Sequence, residues 1–468
     1  MRTNTISKQR FLLRALFFSL IVFVFLLSVF IQPAEVSAAT IQADPQVVEH
    51  FGEDFAYNYA HANQIINQLQ GAWNSSAMRE MGLLTRAEQS QFQSQHFYPD
   101  YIGGVYFDNN GRLVILVVED MAGQAESLQA RSRSLDNDAV IVRNVRFSFN
   151  ELDEAHRYIF DVLDNCPDRE NLSNFNRTGG GVDIINNVLD IRLLDLGCEE
   201  LNLENVRLFR ETIFDSPFLR FHIVDPALIP VLRGLYCPTD DIEYQGNFQE
   251  NSLERNSNTT LFGGDRIFPN GGSIGFRAFC NRTGQAGFVT SRHVVGDTAN
   301  TIVRRGTSNG TEIGRLVRTH PVTDSAFVRV TNGFTIGEIR FGDPINLVRN
   351  TPSNTPVHGS ASPNLVGQTY FMMGATTNRP VSGQVTHVNE SVPTRILGSN
   401  VTLQGITLVT YNAQAGDSGG IIYRNGGFNF MFTNGIHMGA TTYVTPGQQR
   451  SMVMPVQNIL TALDLRLW

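Results

Sequence analysis

The region 263–468 consists of short runs of β-branched and aromatic residues, separated by Asn-Gly, Gly-Gly and Pro-containing turns. Such runs are typical of antiparallel strands, because branched side chains pack well on a pleated surface and glycine permits sharp connections. A helical pattern comes only near the end of the region, at Val456–Leu463. With 41 glycines among 468 residues, the pattern predicts an all-β domain over 263–468.

A glycine-rich run in this region, GDSGG at 416–420, lies between the strand-like segments 408–411 and 421–423. A serine hydroxyl is a poor nucleophile unless a base takes its proton and donors hold the developing oxyanion. The glycines permit tight turns that leave the amides of Gly416 and Ser418 free to converge on a carbonyl oxygen. The run therefore predicts a nucleophilic serine, with a glycine-rich hairpin turn as the alternative.

A histidine and a carboxylate precede this serine. His293 lies in a polar turn that ends a strand-like segment, a place where a rigid scaffold can aim an imidazole. Asp324 comes directly before the alternating run 325–330, and its carboxylate can orient the histidine. Each residue alone is explained equally well as a packed histidine or a turn-forming aspartate. Together, the order His293, Asp324, Ser418 predicts a catalytic triad.

Three ordered motifs carry a family resemblance: TSRHVV around His293, TDSAFVRV around Asp324 and GDSGG around Ser418. The region 263–468 resembles the bacterial chymotrypsin-like serine endopeptidases. The resemblance implies two six-stranded antiparallel barrels with the triad in the cleft between them. The histidine motif is similar to that of the glutamyl-endopeptidase and HtrA-like branches, since Val294 stands where other members have a cysteine.

The segment GIHMGA at 435–440 bears on substrate choice. It resembles the strand that lines the primary pocket of glutamyl endopeptidases, in which the histidine helps to bind an acidic side chain. A buried carboxylate needs hydrogen-bond donors, and imidazole supplies one without a permanent charge. His437 is thus the predicted donor, with a merely packed histidine as the alternative. The predicted pocket residues are Asn412, Ala415, His437, Gly439 and Ala440.

The segment 412–415 contains no Asp or Glu, which argues against a trypsin-like preference for basic side chains. Asp417 resembles the family's buried aspartate, which pairs with a cation to set the oxyanion loop. No cofactor is required for the predicted chemistry, and no C-x-x-C or H-E-x-x-H spacing supports a zinc site. The net charge of -8 argues against nucleic acid as a partner.

The N-terminus has the pattern of an export signal. Basic residues precede the apolar run 15–31, and the small residues 36–38 supply a cleavage site after Ala38. Residues 1–38 are therefore a predicted secretory signal peptide, and the mature chain is expected to be extracellular and free of the membrane. An uncleaved anchor is the alternative, because the run approaches the roughly 20 residues that span a bilayer.

Two related segments, 103–119 and 180–195, each read as strand, Asn-containing turn and strand. Between them, Ser148 and Glu151 fit a capping box that opens a helix. An apolar stripe follows it at helical spacing, formed by Leu152, Ala155, Ile159, Val162 and Leu163. This α+β pattern over 39–235 resembles the pro-region of streptogrisin and α-lytic proteases, which implies a domain that assists folding and then inhibits the enzyme.

The segment 236–262 is hydrophilic and is the predicted linker, so the domain boundary is expected between residues 235 and 263. Glu243, Glu250 and Glu254 allow self-processing there if His437 selects acidic residues. The four cysteines are Cys166, Cys198, Cys237 and Cys280. In an exported chain, disulfides are plausible, and sequence proximity favours pairing the first two and the last two, one of three pairings, with free thiols as the alternative.

These expectations combine into a secreted, monomeric serine endopeptidase made as a zymogen, whose partners are peptide or protein substrates and its own pro-domain. Ser418 attacks the peptide carbonyl, His293 takes its proton, Asp324 orients His293, and the amides of Gly416 and Ser418 hold the oxyanion. One alternative is a non-catalytic binding protein on the same scaffold, suggested by the unusual Arg292. The other is an HtrA-like quality-control protease.

Overall fold

The computed structural model describes residues 43, 45–80, 98–119, 123, 139–165, 175, 178–232, 260–331, 335–336, 364–427, 430–444 and 447–467. The predicted signal peptide and nearly all of the predicted linker lie outside these residues. The described residues belong to one compact unit, Ala43–Trp468. In this described part, helices of the length and apolarity needed to cross a membrane are absent.

The N-terminal region, residues 43–232, combines helices with short strands. Its helices are α1 (Pro45–Phe51), α2 (Glu53–Glu80), α3 (Phe149–Asn165) and α4 (Glu199–Thr212). Its strands are β1 (Ile102–Phe107), β2 (Leu113–Val118), β3 (Val140–Val145), β4 (Gly179–Asp183), β5 (Val188–Leu194), β6 (Leu219–Val224) and β7 (Val231–Leu232).

The C-terminal region, residues 260–467, is mostly β. Its first strands are β8 (Thr260–Leu261), β9 (Arg266–Phe268), β10 (Gly272–Ser273), β11 (Arg277–Cys280), β12 (Ala286–Ser291), β13 (Ile302–Arg305), β14 (Glu312–His320), β15 (Ser325–Val330) and β16 (Thr335–Ile336). Those that follow are β17 (Thr369–Met373), β18 (Val381–Ile396), β19 (Ser399–Val409), β20 (Ile421–Gly427), β21 (Phe430–Thr441), β22 (Arg450–Pro455) and β23 (Leu465–Arg466). Its helices are α5 (Arg292–Val295) and α6 (Val456–Leu463).

The N-terminal region contains the same strand arrangement twice. β1 pairs antiparallel with β2, and β2 pairs parallel with β3. In the same way β4 pairs antiparallel with β5, and β5 pairs parallel with β6. The prediction of two related strand–turn–strand segments is confirmed. Parallel neighbours need a long connection, which α4 supplies between β5 and β6.

The predicted capping box opens α3. The amide of Ser148 donates to Glu151 Oε2 at 2.8 Å, and the amide of Glu151 donates to Ser148 Oγ at 3.1 Å. These two bonds satisfy donors that a helix start otherwise leaves without partners. Leu152 and Ile159, from the predicted apolar stripe, are fully buried. The stripe therefore packs in the core, as predicted.

The first sheet of the C-terminal region is an antiparallel sheet in the order β10-β9-β13-β14-β15-β12-β11-β23. The second sheet closes on itself in the order β17-β20-β21-β22-β19-β18, because β17 also pairs with β18. We call these the first sheet and the second barrel. The all-β fold class is confirmed. The expected six strands hold for the second barrel, whereas the two-residue strands β10 and β23 extend the first sheet to eight.

The second barrel continues into the sheet of the N-terminal region. β18 pairs antiparallel with β4, with Val388 opposite Val182 and Ser391 opposite Gly180. It also pairs in parallel with the short β7. At the junction Arg192 Nη1 lies 2.5 Å from Glu390 Oε2, and both side chains are almost completely buried. A buried ion pair of this kind requires that each charge has its partner, since an unpaired charge is costly away from water.

Helix α2 also packs on the second barrel. Its Tyr59 hydroxyl accepts a hydrogen bond from the amide of Thr369, the first residue of β17, at 3.0 Å. The Tyr59 ring lies 4.8 Å from the ring of Phe107, centroid to centroid. Phe55 and Ile66 of α2 are buried in the same core cluster as Phe371, Tyr423 and Met454 of the barrel. Burial of apolar surface therefore joins the helix to both β1 and the barrel.

The cysteines differ from the expectation. Cys198 is an exposed free thiol at the start of α4, and Cys280 is a buried free thiol at the end of β11. The two pairings that sequence proximity favoured are thus not formed in the structure. Proximity in sequence was a poor guide here because the tertiary fold, and not chain separation, decides which cysteines meet. Cys166 and Cys237 lie outside the described residues.

Candidate active site

A short helix and a turn hold His293 and Asp324 together. Strand β12 ends at Ser291, and α5 then carries His293. Asp324 lies in the turn before β15, where its carbonyl accepts the amide of Arg292 at 2.8 Å. Its Oδ1 accepts the amide of His293 at 3.0 Å, and its Oδ2 lies 2.5 Å from His293 Nδ1. Both side chains are fully buried.

Asp324 adopts an unusual backbone conformation, with φ of 40°. Residues other than glycine seldom enter this left-handed region, because the Cβ atom crowds the carbonyl oxygen. The hydrogen bonds from Arg292 and His293 offset this cost. The backbone is therefore held in a conformation that points the carboxylate at the imidazole.

The second nitrogen of the imidazole is left without a partner. His293 Nε2 is buried and has no hydrogen bond to any residue that the structure describes. With Nδ1 donating to the carboxylate, Nε2 is the lone-pair nitrogen of the neutral ring. An imidazole in this tautomer can accept a proton at Nε2, while the carboxylate stabilises the resulting cation.

Ser418 lies in the loop between β19 and β20, where residues of the first sheet hold the backbone. The amide of Ser273, in β10, donates to the carbonyl of Ser418 at 2.8 Å. The hydroxyl of Ser273 donates to the carbonyl of Gly416 at 3.0 Å. Ser418 Oγ itself donates to the carbonyl of Met438 at 3.2 Å. The hydroxyl thus points toward the pocket strand and is not hydrogen-bonded to His293.

The serine loop and the histidine segment are nevertheless in close contact. A Cβ on Gly419 would lie 3.1 Å from the amide nitrogen of Ser291, two residues before His293. Ser291 Oγ in turn lies 3.3 Å from the carbonyl oxygen of His437 and 3.7 Å from Met438 Sδ. The hydroxyls of Ser418 and Ser291 therefore both contact Met438. A rotation about the Cα–Cβ bond of Ser418 is a small change, and free structures often lack the final catalytic hydrogen bond.

The amides of the serine loop differ in their hydrogen bonding. Gly416 and Gly419 have φ of 95° and 83°, values that glycine adopts without strain. The amides of Asp417, Gly419 and Gly420 donate to carbonyl oxygens of the chain. In contrast, those of Gly416 and Ser418 make no hydrogen bond within the described part of the chain. Two amides separated by one residue are therefore free to donate, as an oxyanion site requires.

The aspartate of the serine loop differs from what the resemblance implied. Asp417 is fully buried, and its carboxylate accepts the amides of Thr376 and Thr377 at 2.9 Å and that of Gln414 at 2.8 Å. The hydroxyl of Thr377 also donates to it. Among the described residues its partners are neutral donors and not a cation. Several amide bonds can stabilise a buried carboxylate, so the loop is fixed without a salt bridge.

His437 lies in the bulge of β21, opposite Val453 of β22. Its amide donates to the carbonyl of Gly420 at 2.8 Å, and its carbonyl accepts the amide of Gly419 at 2.7 Å. These bonds fix the pocket strand against the serine loop. Burial lowers the pKa of His437 to about 4, although the nearby Asp417 carboxylate opposes this effect. The ring is therefore neutral at pH 7.

The other predicted pocket residues lie in different surroundings. Gly439 and Ala440 continue β21 beyond His437 and are half-buried, whereas Asn412 and Ala415 are exposed. A Cβ on Gly439 would lie only 2.4 Å from Leu232 Cδ2, so the end of the N-terminal region covers this part of the strand.

Sequence reasoning missed four residues at this site: Ser273, Ser291, Tyr411 and Met438. Tyr411 is buried and its hydroxyl lies 3.0 Å from His437 Nδ1. Ser291 and Met438 lie within the motifs TSRHVV and GIHMGA, but nothing in those motifs assigns them a role, and Ser273 and Tyr411 lie outside every motif. Only their contacts with His437, Gly416 and Ser418 reveal them.

No group of three or more His, Cys, Asp or Glu side chains suited to a metal ion occurs in the described ranges. The side chain of Arg292, which is unusual beside the histidine, donates to Asp297 through Nε at 2.5 Å. That pair raises the pKa of Arg292 and accounts for its presence structurally.

Two family models match parts of the N-terminal region. Residues 53–145 match the family described as Pro-like N-terminal domain, and residues 150–223 match the Pro-like C-terminal domain. The two matches together cover less than half of the chain. A search of curated proteins gave no match.

Solved structures of proteases align with less than half of the chain. Protease A of Thermobifida fusca is 26% identical, with 45% of this chain and 98% of that chain covered and a TM-score of 0.33. Nocardiopsis protease is 28% identical; the alignment covers 45% of this chain and 99% of that chain, with a TM-score of 0.33. A glutamic acid-specific serine protease, described as using a histidine triad in substrate binding, is 24% identical, with 44% and 100% covered and a TM-score of 0.34.

Pro-like domains followed by two packed antiparallel sheets define the class of this chain. It resembles the bacterial chymotrypsin-like proteases of the α-lytic type, which carry pro-regions.

Proposed function

We propose that the protein is a serine endopeptidase in which Ser418 is the nucleophile, His293 the general base and Asp324 the residue that orients the base. The observation that carries the proposal is the buried pair of His293 and Asp324, with Nδ1 2.5 Å from Oδ2. This pair leaves Nε2 buried and without a hydrogen-bond partner among the described residues. A buried imidazole that is oriented by a carboxylate and open at its other nitrogen is suited to take a proton from a hydroxyl.

In the proposed reaction, the hydroxyl of Ser418 leaves the carbonyl of Met438 and donates to His293 Nε2. Ser418 Oγ then bonds to the carbonyl carbon of the peptide, and the proton moves to Nε2. The oxyanion accepts hydrogen bonds from the amides of Gly416 and Ser418. The imidazolium returns the proton to the leaving amine, and a water molecule repeats the sequence to hydrolyse the acyl-enzyme.

We propose that the primary pocket prefers Glu or Asp before the scissile bond. His437 is neutral and buried, and its backbone is fixed against the serine loop. A neutral imidazole can donate one hydrogen bond to a carboxylate and can become charged when that carboxylate arrives, because a nearby negative charge raises its pKa. The segment 412–415 carries no acidic side chain that would repel such a substrate.

We also propose that the N-terminal region acts as a pro-domain that assists folding and then blocks the enzyme. β4 of this region extends the sheet of the second barrel through β18. Its last described residue, Leu232, packs on Gly439 of the pocket strand. Many strand pairings of the C-terminal region join residues that are distant in sequence, and such pairings form slowly without a template.

Export of the chain remains a proposal from the sequence. The basic residues before the apolar run 15–31 and the small residues before Ala38 support a cleaved signal peptide. Amino-terminal analysis of the protein from culture medium tests it, and a chain that starts before residue 38 contradicts it.

The main test compares the secreted wild-type chain with its Ser418→Ala form by intact mass and amino-terminal sequencing. We expect cleavage between residues 235 and 263 in the wild type alone, which would also report the bond preference. Identical cleavage of both forms would assign maturation to another protease. A wild type that is neither cleaved nor active on peptides would contradict the proposal and favour a non-catalytic binding protein, in which Ser418 keeps its bond to Met438.

A further inference from the structure

We propose that Tyr411 is a positioning residue for substrate selection, because its hydroxyl donates to His437 Nδ1 and so keeps the imidazole proton on Nε2. This inference rests on the proposed function, in which His437 is the donor to an acidic side chain. Tyr411 follows β19 and precedes the serine loop, and it lies outside every motif found in the sequence. Its role would be to decide which nitrogen of His437 can donate.

The contact between the two side chains is well defined. Tyr411 Oη lies 3.0 Å from His437 Nδ1, and the ring centroids are 5.6 Å apart. The residues are 3% and 2% exposed, so bulk water cannot replace this bond. A buried hydrogen bond between two rigid rings fixes both the orientation and the tautomer of the imidazole.

The surroundings favour one direction for this hydrogen bond. Two side chains interact with the Tyr411 hydroxyl: His437 through Nδ1 at 3.0 Å, and Ser451. If Tyr411 donates to Nδ1, its proton and the lone pair of Nδ1 are both satisfied. If Nδ1 donates instead, the hydroxyl proton must turn to Ser451, whose own hydroxyl already donates to the Tyr411 carbonyl, so the geometry favours donation by Tyr411. Burial and the Asp417 carboxylate raise the pKa of Tyr411, so its hydroxyl keeps the proton that it donates.

The backbone holds both rings in place. The hydroxyl of Ser451 donates to the carbonyl of Tyr411 at 2.8 Å. The amide and the carbonyl of His437 are bonded to Gly420 and Gly419 of the serine loop. The imidazole therefore cannot turn to exchange its two nitrogens without breaking the bond to Tyr411. The tautomer with the proton on Nε2 presents a donor, which suits a carboxylate, and the other tautomer presents an acceptor, which repels it.

The first measurement is the ratio of kcat/KM for two peptides that differ only in Glu or Phe before the scissile bond. For Tyr411→Phe we expect this ratio to fall about tenfold, the effect of one buried hydrogen bond. The loss should appear mainly as a higher KM for the Glu peptide, with the Phe peptide changed less than about twofold. An unchanged ratio in Tyr411→Phe, for a wild type that prefers Glu, would overturn the inference.

The matched control is Tyr370→Phe. Tyr370 is also fully buried in the second barrel, and its hydroxyl bonds to Asn364 and Asn434 and not to His437. This variant should leave the ratio as in the wild type. A fall in the ratio as large as that of Tyr411→Phe would mean that loss of any buried hydroxyl loosens the barrel, and would overturn a specific role for Tyr411.

The second measurement reads the tautomer directly and does not depend on activity. We would record imidazole nitrogen shifts in the full-length Ser418→Ala chain labelled with ¹⁵N-histidine. The expected result is a protonated Nε2 and an unprotonated, hydrogen-bonded Nδ1 for His437, with mixed tautomers in Tyr411→Phe. A proton on Nδ1 would overturn the inference. If the tautomer is as expected but the wild type shows no preference for Glu, the acidic specificity proposed above fails, and with it the role of Tyr411 in selection.

Discussion

The first sheet and the second barrel differ in how they depend on the N-terminal region. The second barrel shares a sheet with that region through β18 and β4, and hydrogen bonds such as those of Arg192 with Glu390 cross the junction. Between the first sheet and the N-terminal region, the described residues form no hydrogen bond. One core cluster, which includes Leu261, Phe288 and Val328, lies wholly within residues 261–330. The N-terminal region therefore serves chiefly the barrel that carries Ser418 and the pocket.

The two halves of the candidate site differ in the same way. His293 and Asp324 come from the first sheet, where β14 and β15 are neighbours in sequence and pair locally. In the second barrel, β17 must meet β20 and β19 must meet β22. β18 and β19 form a long hairpin, and β18 also pairs with β4. Under the proposed folding role, the half that carries Ser418 is the one that receives a template.

The largest expected effect is chemical and lies in the first sheet. Asp324→Asn should lower kcat about 10³–10⁴-fold, because an amide cannot hold His293 in the tautomer that leaves Nε2 free. The yield of folded full-length chain should stay within about twofold of the wild type, since Asp324 is remote from the junction with β4. Peptide hydrolysis and the amount of secreted protein are the two readouts. A variant that is secreted poorly would contradict the separation of the two halves.

The next effect concerns folding and lies at the junction. Arg192→Met leaves Glu390 buried without its partner, which should cost about 3–5 kcal/mol of stability. Thermal unfolding of full-length chains in the Ser418→Ala background measures it.

The double variant Arg192→Met with Glu390→Leu should recover much of this loss, because neither charge of the pair remains buried, while Asp190, 3.8 Å from Arg192, keeps its bond to Arg220. As a control in the first sheet, Arg315→Gln breaks a half-exposed pair with Glu312 and should change stability by less than about 1 kcal/mol. Equal effects of Arg192→Met and Arg315→Gln would contradict the comparison.

The smallest expected effect is a pH dependence at the same junction. His156 of α3 is buried, with Nε2 3.2 Å from Ser391 Oγ of β18, and burial lowers its pKa from 6.5 to about 4. Between these values the unfolded chain binds a proton that the folded chain does not. Stability should therefore fall as the pH falls from 6.5 to 4, by at most about 3 kcal/mol from this group.

Unfolding temperatures of the Ser418→Ala chain at pH 7 and pH 5 test this dependence, and His156→Gln should reduce the difference. Burial also lowers the pKa of His387 and that of His437, which act in the same direction, while the raised pKa of the half-buried Asp153 opposes them. A matched control is His61→Gln in α2, whose ring lies tilted against Tyr57 with the ring centroids 4.4 Å apart. If His156→Gln shows the full pH dependence of the parent, the histidine is not its source.

Much of the local structure could be predicted from the sequence. The capping box at Ser148 and the apolar stripe after it gave α3, because helical spacing and end-capping are properties of neighbouring residues. Asn-containing turns marked the hairpins of β1 with β2 and of β4 with β5. The same reasoning selected His293, Asp324 and Ser418 as candidates, although their catalytic roles stay predictions.

Other features could not be predicted because they depend on residues far apart in the chain. The partners of Asp417 include the backbone amides of Thr376 and Thr377, about forty positions away. Because every residue except proline has a backbone N–H, the sequence does not show which amide will donate. The free thiols of Cys198 and Cys280 show the same limit. The pairing of Glu390 with Arg192 was also unpredictable, because the sequence does not show which of its arginines a given glutamate will meet.

The sequence by itself determined the β-rich character of residues 263–468, the helix and hairpins of the N-terminal region, and the residues able to perform serine-based chemistry. These depend on side-chain type and spacing, which act over a few residues. The tertiary structure alone decided that β4 extends the second barrel, that neutral amides hold Asp417, and that Tyr411 meets His437. Such contacts arise only when closure of the barrel brings distant segments together, and no local preference encodes them.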